Sequence, residues 1–482
     1  MQPLSFIMSR KKKFVINDLL IESYAAEGKT IARHNDKVIF VEGAVPGDVA
    51  NVFVHKNKKD WAEARVNQIT KYAENRVEPF CQHFGICGGC KWQMLPYELQ
   101  LQYKEQQVKD QLRRIGHVAV GEYLPIKGSA LTKLYRNKLE FTFSTKQYIT
   151  SQELNNGESF EKNVVGFHAP KLFDKVIDIE KCYLQNEPTN AIRNYIRAFA
   201  HENEITFYDI KNHVGLLRTM MIRVSSLNET MVNMVFGEDD ETTILKVMNT
   251  LKEKFPTIHS LNYTINLKMN DSIYDQEVIC FSGEAFIHEK LEDFIFKISP
   301  KSFFQTNPTQ AEELYKITRD FADLTGDEIL YDLYCGTGSI GIFLSKNAKK
   351  IIGVETIDDA IEDAKLNAKN NGLENTSFYA GDVIKVCNDS FFAKHGKPDV
   401  VVIDPPRAGC HEKLIEKLLE IKAPTVVYVS CNPATQARDL QLLSKEYIVT
   451  KSQAVDMFPH THHVENVVQL KLATQAGELK VD

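Results

Sequence analysis

The sequence predicts a multi-domain α/β protein in three parts: a small N-terminal β-barrel, a central α+β region with a cysteine cluster, and a C-terminal doubly wound sheet. Three observations lead there. Residues 14–72 break into short β-forming runs separated by turn residues. From about residue 291, buried apolar runs alternate with helical patterns, the rhythm of βαβ units and of a parallel sheet covered on both faces. The chain has 482 residues, more than one ordinary domain holds.

Bulk properties narrow the class. The composition is globular, 43% hydrophobic and 25% charged. No apolar run approaches the roughly 20 residues of a membrane span. The start, MQPLSFIMSRKKKF, lacks signal-peptide order because its basic cluster follows the short apolar piece. A cytoplasmic monomer with no membrane association is expected. The net charge of −6 argues against a wholly basic nucleic-acid binder. It is uneven, however: residues 1–72 hold 12 Lys and Arg against 8 Asp and Glu, a local +4. That permits an RNA-facing module, although a solvated face is the commoner cause. Nine cysteines in a reducing compartment do not suggest a disulfide framework.

The elements follow in order. FVINDLLIESYA, KTIARHN, KVIFVEG, DVANVFVHK and WAEARVNQIT read as about five short strands, which suits an OB-like barrel. Within it, VEGAVPGDVANVFV (41–54) resembles the TRAM module of RNA-modifying enzymes; an ordinary structural barrel is the plainer alternative. CQHFGICGGCKW (81–92) follows, then a long amphipathic helix over 97–116. Residues 125–290 mix strands and helices, with LEFTFS, VVGFHA, MIRVSS, MVNMVF and SLNYTIN as strands of an antiparallel sheet. The buried strands EILYDLYC, KKIIGVE, TSFYAGD, PDVVVIDPP and PTVVYVSC then build a Rossmann-like domain. The boundaries are 9–72, 73–290 (with helix 97–116 able to pack on the last domain) and 291–474.

Ligands of such sheets bind beyond the carboxyl ends of the strands. The first strand ends in Asp332 and the turn Tyr334-Cys335-Gly336-Thr337-Gly338-Ser339. Glycines there let a ligand approach the backbone. The pattern is not a Walker A loop. The next three strands end in Glu355, Asp382 and Asp404, so four strands deliver acidic residues to one edge. Singly such acids are usually solvated loops or caps; together with a Gly-rich turn they indicate a nucleoside-type cofactor without a pyrophosphate, such as S-adenosylmethionine.

The combination DLYCGTGSIG, GVE, AGD, DPPR and SCNP, with FFQTNP (303–308) ahead and PHTHHVENVVQL (459–470) behind, resembles the uracil-C5 RNA methyltransferase family over nearly the whole chain. The likeness is greatest to the branch that methylates 23S rRNA and carries an iron–sulfur cluster. It implies that Gln305, Tyr334, Ser339, Glu355, Asp382 and Asp404 contact or shape the site of S-adenosylmethionine. Some relatives have Asn where this chain has Ser339. The resemblance also implies catalysis by Cys431 and Glu465. A Cys431 thiolate adds to C6 of the uracil, C5 becomes nucleophilic, and Glu465 removes the C5 proton. Cys431 stands where a buried strand hands over to a helix, with Asn432 as a cap and Pro433 at its first position; a helix N-terminus favours a thiolate. Without the resemblance, Glu465 would read as an exposed strand glutamate; for Cys431 the plainer alternative is a packing residue, to which this position gives little benefit. Arg407 could meet RNA phosphate or orient its loop. His460, His462 and His463 have no recognisable partner ligands for a metal.

Cys81, Cys87 and Cys90 place three thiols within ten residues, wrapped by Gly85, Gly88 and Gly89. Cys182 is the best fourth ligand. The spacing leaves zinc and [4Fe–4S] open, and the resemblance implies the [4Fe–4S] cluster, in a structural or RNA-shaping role. Cys280, Cys335, Cys387 and Cys410 read as packing residues. The expected substrate is a uridine of 23S rRNA, splayed out of folded RNA. A tRNA uridine is the runner-up, because tRNA relatives usually lack the cysteine cluster and the TRAM-like start. A non-catalytic iron–sulfur RNA-binding protein is a third reading.

Overall fold

The computed structural model describes residues 14–156, 160 and 162–474. Residues 9–13, assigned above to the first domain, lie outside the described residues. The chain forms two compact units. One comprises the chain up to Gly85 with Gly89–Gln107 and His460–His462; the other comprises Ile86–Gly88, Val108–Pro459 and the chain from His463 onward.

The first unit is built on a sheet whose strands lie in the order Phe14–Leu20, Val49–Asn57, Trp61–Lys71, Lys37–Glu42, Thr30–His34, Ser23–Tyr24. Alternating apolar residues point inward: Ala50, Val52 and Val54 meet Ile16, Ile39, Val41, Ala62 and Ala64. The run 14–24 lies at both ends of this order: Phe14–Leu20 pairs with Val49–Asn57, and its continuation Ser23–Tyr24 pairs with Thr30–His34, where the Glu22 N–H also reaches the Ile31 carbonyl at 2.8 Å. Asp48 locks the turn of the VPGD segment. Its carboxylate is fully buried and accepts from the Val45 N–H at 2.8 Å, the Ala73 N–H at 3.0 Å and the Arg76 guanidinium at 2.9 Å.

The second unit contains two large sheets. A seven-stranded sheet runs in the order Val176–Asp178, Val164–His168, Lys138–Ser144, Leu217–Val224, Thr230–Phe236, Ile258–Ile265, Ile279–Gly283. It is antiparallel except for Thr230–Phe236 beside Ile258–Ile265, which the helix Glu241–Lys254 joins in parallel. The crossover makes this region less purely antiparallel than the sequence suggested, because a parallel pair needs a connection of helix length.

The eight-stranded sheet runs Thr376–Ala380, Lys350–Glu355, Ile329–Leu333, Val400–Ile403, Thr425–Ser430, Glu465–Leu472, Tyr447–Val455, Val120–Lys127. The first five strands are parallel; the inner four are nearly continuous apolar runs buried on both faces, and Thr376–Ala380 is a partly exposed edge. The eighth comes from far upstream: Val120–Lys127 adds in parallel to the open edge of Tyr447–Val455. The long helix is Tyr97–Arg114, and the division between the units falls within it. Its Val108 and Leu112 belong to the apolar layer under this sheet.

Packing under the first strands leaves no slack. A Cβ on Gly353 would lie 2.4 Å from the Phe378 ring and 2.9 Å from the Cys335 sulfur. Gly353→Ala is therefore expected to lower stability by about 2 kcal/mol, the cost of overpacking a core, and to weaken cofactor binding by displacing the turn that holds Cys335. Urea unfolding and calorimetric titration with S-adenosylhomocysteine check both.

Candidate active site

The strand order reverses at Ile329–Leu333, and the ends of its neighbours frame the crevice where such sheets take ligands. Tyr334 leaves the strand with φ of +64°, a conformation uncommon outside glycine. The N–H groups of Tyr334 and Cys335 both reach the Val354 carbonyl, at 3.0 and 3.3 Å, which holds the turn. Gly336, with φ of +52°, has nothing within 4 Å of the place a Cβ would take, so its backbone face is open to a ligand.

Glu355 reaches the same turn. One carboxylate oxygen accepts from the Gly336 N–H at 3.3 Å and the other from the Thr356 and Ile357 N–H groups at 2.6 and 3.1 Å. Asp382 caps the short helix Val383–Val386 through the Ile384 N–H at 3.0 Å. Burial, with Cys410, Asp382 and Glu355 close by, pushes the Tyr334 phenol up to about 12. Tyr334, Glu355 and Asp382 thus share one end of the crevice. Ser339 opens the helix Ser339–Leu344, and its hydroxyl lies 2.9 Å from that of Tyr315. Gln305 sits in the loop before the helix Pro308–Ala322, its carbonyl accepting from the Asn137 amide at 3.3 Å.

Two findings depart from the sequence reading. Asp332 is fully buried beneath the turn, where it accepts from the Gly341 N–H at 2.8 Å; burial, with Asp404 and Glu355, pushes it up to about 7. It braces the turn instead of presenting a carboxylate to the edge, because it lies one residue short of the strand end. Tyr315 is the residue that sequence reasoning missed. Its buried phenol lies within electrostatic reach of Asp404, Asp332 and Glu465; nothing in the apolar period of its helix marks it.

Cys431 and Glu465 come together through strand register. The antiparallel ladder of Thr425–Ser430 and Glu465–Leu472 pairs Ser430 with Asn466, so the next step places Cys431 beside Glu465. Asn432 caps the helix Pro433–Leu443 through the Ala434 N–H at 3.2 Å, with Pro433 in its first turn, as the sequence indicated. Glu465 is buried, not exposed, and burial with Asp404 pushes it up to about 8. Burial alone pushes Asp404 up to about 7.

The thiol itself does not behave as its helix position suggested. Burial, then the charges of Glu465 and Asp404, push Cys431 up to about 11. In the free site these outweigh the helix dipole, whose influence is small. The opposing group is Arg407, whose guanidinium lowers both Cys431 and Glu465. Its backbone is pinned beside Cys431, the Arg407 carbonyl accepting from Asn432 at 3.1 Å and Thr435 at 3.3 Å.

This crevice has known counterparts. The family model described as tRNA (uracil-5-)-methyltransferase matches residues 228–473. The chain belongs to this family. A protein of Bacteroides thetaiotaomicron named as an uncharacterised RNA methyltransferase is 50% identical over 452 residues, covering 93% of this chain and all of that one. One of Chlorobaculum tepidum with the same description is 37% identical, covering 96% and 98%. Among solved structures, the tRNA (uracil-54, C5)-methyltransferase of Pyrococcus abyssi with S-adenosyl-L-homocysteine has a TM-score of 0.70 at 28% identity, covering 95% of this chain and all of that one. The protein is an S-adenosylmethionine-dependent RNA methyltransferase of the uracil-C5 type. The residues fit that cofactor: Gly336 leaves its backbone face open, and Glu355 stands at the same turn.

The cysteine set stands differently. Cys81 and Cys90 belong to the first unit, Cys87 and Cys182 to the second, and all four are half-buried and outside any disulfide. Cys87 and Cys182 pack on the same small cluster of Ala169, Ile177 and Ile179. Among the described residues, no group of three or more His, Cys, Asp or Glu side chains is placed to hold a metal ion. Cys387 and Cys410 are buried as expected, and so is Cys335, whereas Cys280 is exposed at an edge strand. No helix among the described residues is long and apolar enough to cross a membrane.

Arg407 is expected to draw the thiol toward ionisation. Arg407→Gln should move the alkylation of Cys431 by iodoacetamide to higher pH by about one unit, the size of an opposite-charge effect at short range. The pH profile of alkylation, read by mass spectrometry in the absence of RNA, checks it.

Proposed function

We propose that this methyltransferase modifies C5 of a uridine in 23S rRNA through a covalent bond between Cys431 and C6. The observation that carries the reading is the ladder that sets Cys431 beside a buried Glu465. Cys431 releases its proton to water, the thiolate adds to C6, and the electron pair of the C5–C6 double bond is pushed toward O4. S-adenosylmethionine, when bound, supplies an electrophilic methyl for the C5 so activated. Glu465, as carboxylate, then takes the C5 proton; the C5–H electrons restore the double bond and the thiolate leaves. Gln305, Tyr334, Ser339, Glu355, Asp382 and Asp404 form the cofactor site in this reading. Arg407 lowers both the nucleophile and the base, so it favours the ionised form that each needs.

A tRNA uridine is a second reading with an observation behind it. The Pyrococcus abyssi enzyme acts on tRNA, and its likeness extends over 95% of this chain. An N-terminal unit of this kind therefore does not by itself exclude tRNA. The separating experiment uses fluorine at C5, which blocks the final proton removal. With 5-fluorouridine-substituted 23S rRNA fragments and S-adenosylmethionine, a denaturant-stable adduct is expected with rRNA and not with substituted tRNA. Cys431→Ala should abolish it. An adduct with tRNA alone would overturn the substrate.

The first unit, through residues 14–72, serves as a TRAM-like RNA-holding module in this reading. Cys81, Cys87, Cys90 and Cys182 are the proposed ligands of a [4Fe–4S] cluster, supported by the clustering of three of them within ten residues of sequence; no catalytic step is assigned to it. Anaerobically purified protein is expected to absorb near 400 nm and to lose that band in Cys182→Ala. Colourless protein that carries zinc would overturn the iron assignment.

A further inference from the structure

Behind the catalytic pair lies a dry polar contact that the mechanism does not use. Gln436 sits one turn into the helix that follows Cys431, and Asn466 is the residue after Glu465. Both are completely buried. The Gln436 amide nitrogen donates to the Tyr428 carbonyl at 2.9 Å and to the Asn466 carbonyl at 3.1 Å. The Asn466 amide nitrogen donates back to the Gln436 oxygen at 2.8 Å. The Ser452 hydroxyl donates to the Asn466 oxygen at 3.1 Å. These bonds tie together the helix behind the nucleophile, the strand before it, the strand that opens with the base, and the next strand.

Two amides in an apolar layer need a reason. Around them lie Ala437, Leu440, Val464 and Val468, and leucines would fill that layer without any polar group to satisfy. A fully satisfied buried network adds geometric uniqueness more than net stability. The geometry here is one-sided in a useful way. Side chains alternate along a strand, so Asn466 points into the layer behind the sheet while Glu465 points to the other face, where Val467 packs. Fixing Asn466 therefore fixes which face and which register Glu465 presents. A slip of one residue would carry Glu465 away from the uracil.

We propose that Gln436 and Asn466 form a clasp that sets the distance between Cys431 and Glu465, and that it serves the proton-removal step in particular. Both are positioning residues, since neither reaches the reacting atoms. Cys431 is fixed independently: Asn432 caps the helix, and the Ser430 hydroxyl accepts from the Asn432 N–H at 3.1 Å and donates to the Asn432 carbonyl at 3.2 Å. Glu465 opens its strand opposite Val455, and the side-chain anchor next to it is Asn466. Loosening the clasp should spare addition of the thiolate to C6 and slow loss of the C5 proton. The inference rests on the covalent reading above.

The test is a variant that removes the network at once, Gln436→Met with Ser452→Ala and Asn466→Val, which leaves no amide unpaired. Gln436→Asn, shorter by one methylene, is the milder second variant. Trapping by 5-fluorouridine RNA should stay within about threefold of the parent, since the nucleophile is untouched. Turnover on ordinary RNA should fall about 100-fold in the triple variant, the cost of a misplacement near one ångström. The methylated adduct should then accumulate on denaturing gels, and RNA carrying deuterium at C5 should show a primary isotope effect. Gln436→Asn should show the same split at smaller amplitude. Equal loss of trapping and turnover in both variants, or unchanged turnover in the triple variant, overturns the clasp. Glu465→Gln is run beside them: if it fails to accumulate adduct on ordinary RNA, the covalent reading is wrong; if it accumulates adduct and the clasp variants do not, only the clasp is wrong.

Discussion

Desolvation of negative charge at one edge of a sheet governs this site. Asp332, Asp404 and Glu465 are all pushed up to between about 7 and 8 by burial, and Cys431 to about 11. Glu465 and Asp404 add to burial in raising Cys431, and Asp404 adds to burial in raising Glu465, so the thiol of the free site holds its proton at neutral pH. Its ionisation therefore needs positive charge brought to it. Arg407 is one source, and the sulfonium of the cofactor is a second of the right sign. A surface cysteine of ordinary acidity would have no such dependence.

The acids can be packed so closely because the backbone around them is over-determined. Tyr334 adopts a left-handed conformation that costs a non-glycine residue of order 1 kcal/mol. Two bonds to the Val354 carbonyl and packing against the apolar layer hold it there. Asp332 spends its buried carboxylate on the Gly341 N–H beneath the same turn. A second set of buried polar groups reaches the cofactor loop from the seven-stranded sheet. Arg223, fully buried, donates to the Ser302 carbonyl at 2.8 Å; Asn137 donates to Glu289 at 2.9 Å and to the Gln305 carbonyl; and Ser302 donates to Asp363 at 2.7 Å. The loop FFQTNP is thus held by residues up to 170 positions away in sequence, which is why its geometry had no local signature.

The same logic explains what looks redundant in the catalytic corner. Asp439 accepts from Tyr428 and from the Cys410 N–H, both at 2.7 Å, and pairs with Arg438. Arg438 in turn donates to the Ala408 carbonyl at 3.0 Å, on the loop that carries Arg407. Cys431, the Arg407 cation that lowers it and the helix Pro433–Leu443 therefore form one braced body. Removing one member of such a network leaves a buried charge without its partner, which is far costlier than a lost surface contact.

The parallel strands, the Gly-rich turn and the order of acidic strand ends were legible in the sequence because their causes are local: apolar runs, turn glycines, and the fixed direction of βαβ units. The motifs around Cys431 and Glu465 were legible by resemblance. Several features were not. Asp332 lies one residue before the strand end, and only the fold shows it turned under the turn. Val120–Lys127 completes the catalytic sheet from 200 residues upstream of its first strand, since an open edge accepts any strand of suitable direction. The pairing of the single run 14–24 with two different strands, Val49–Asn57 and Thr30–His34, was likewise not legible, because the break between Leu20 and Ser23 depends on partners distant in sequence. The ionisation of Cys431 could not be read at all. Its helix position argued for a thiolate, and burial beside two carboxylates decided otherwise, because desolvation depends on everything packed around a group and not on its neighbours in the chain.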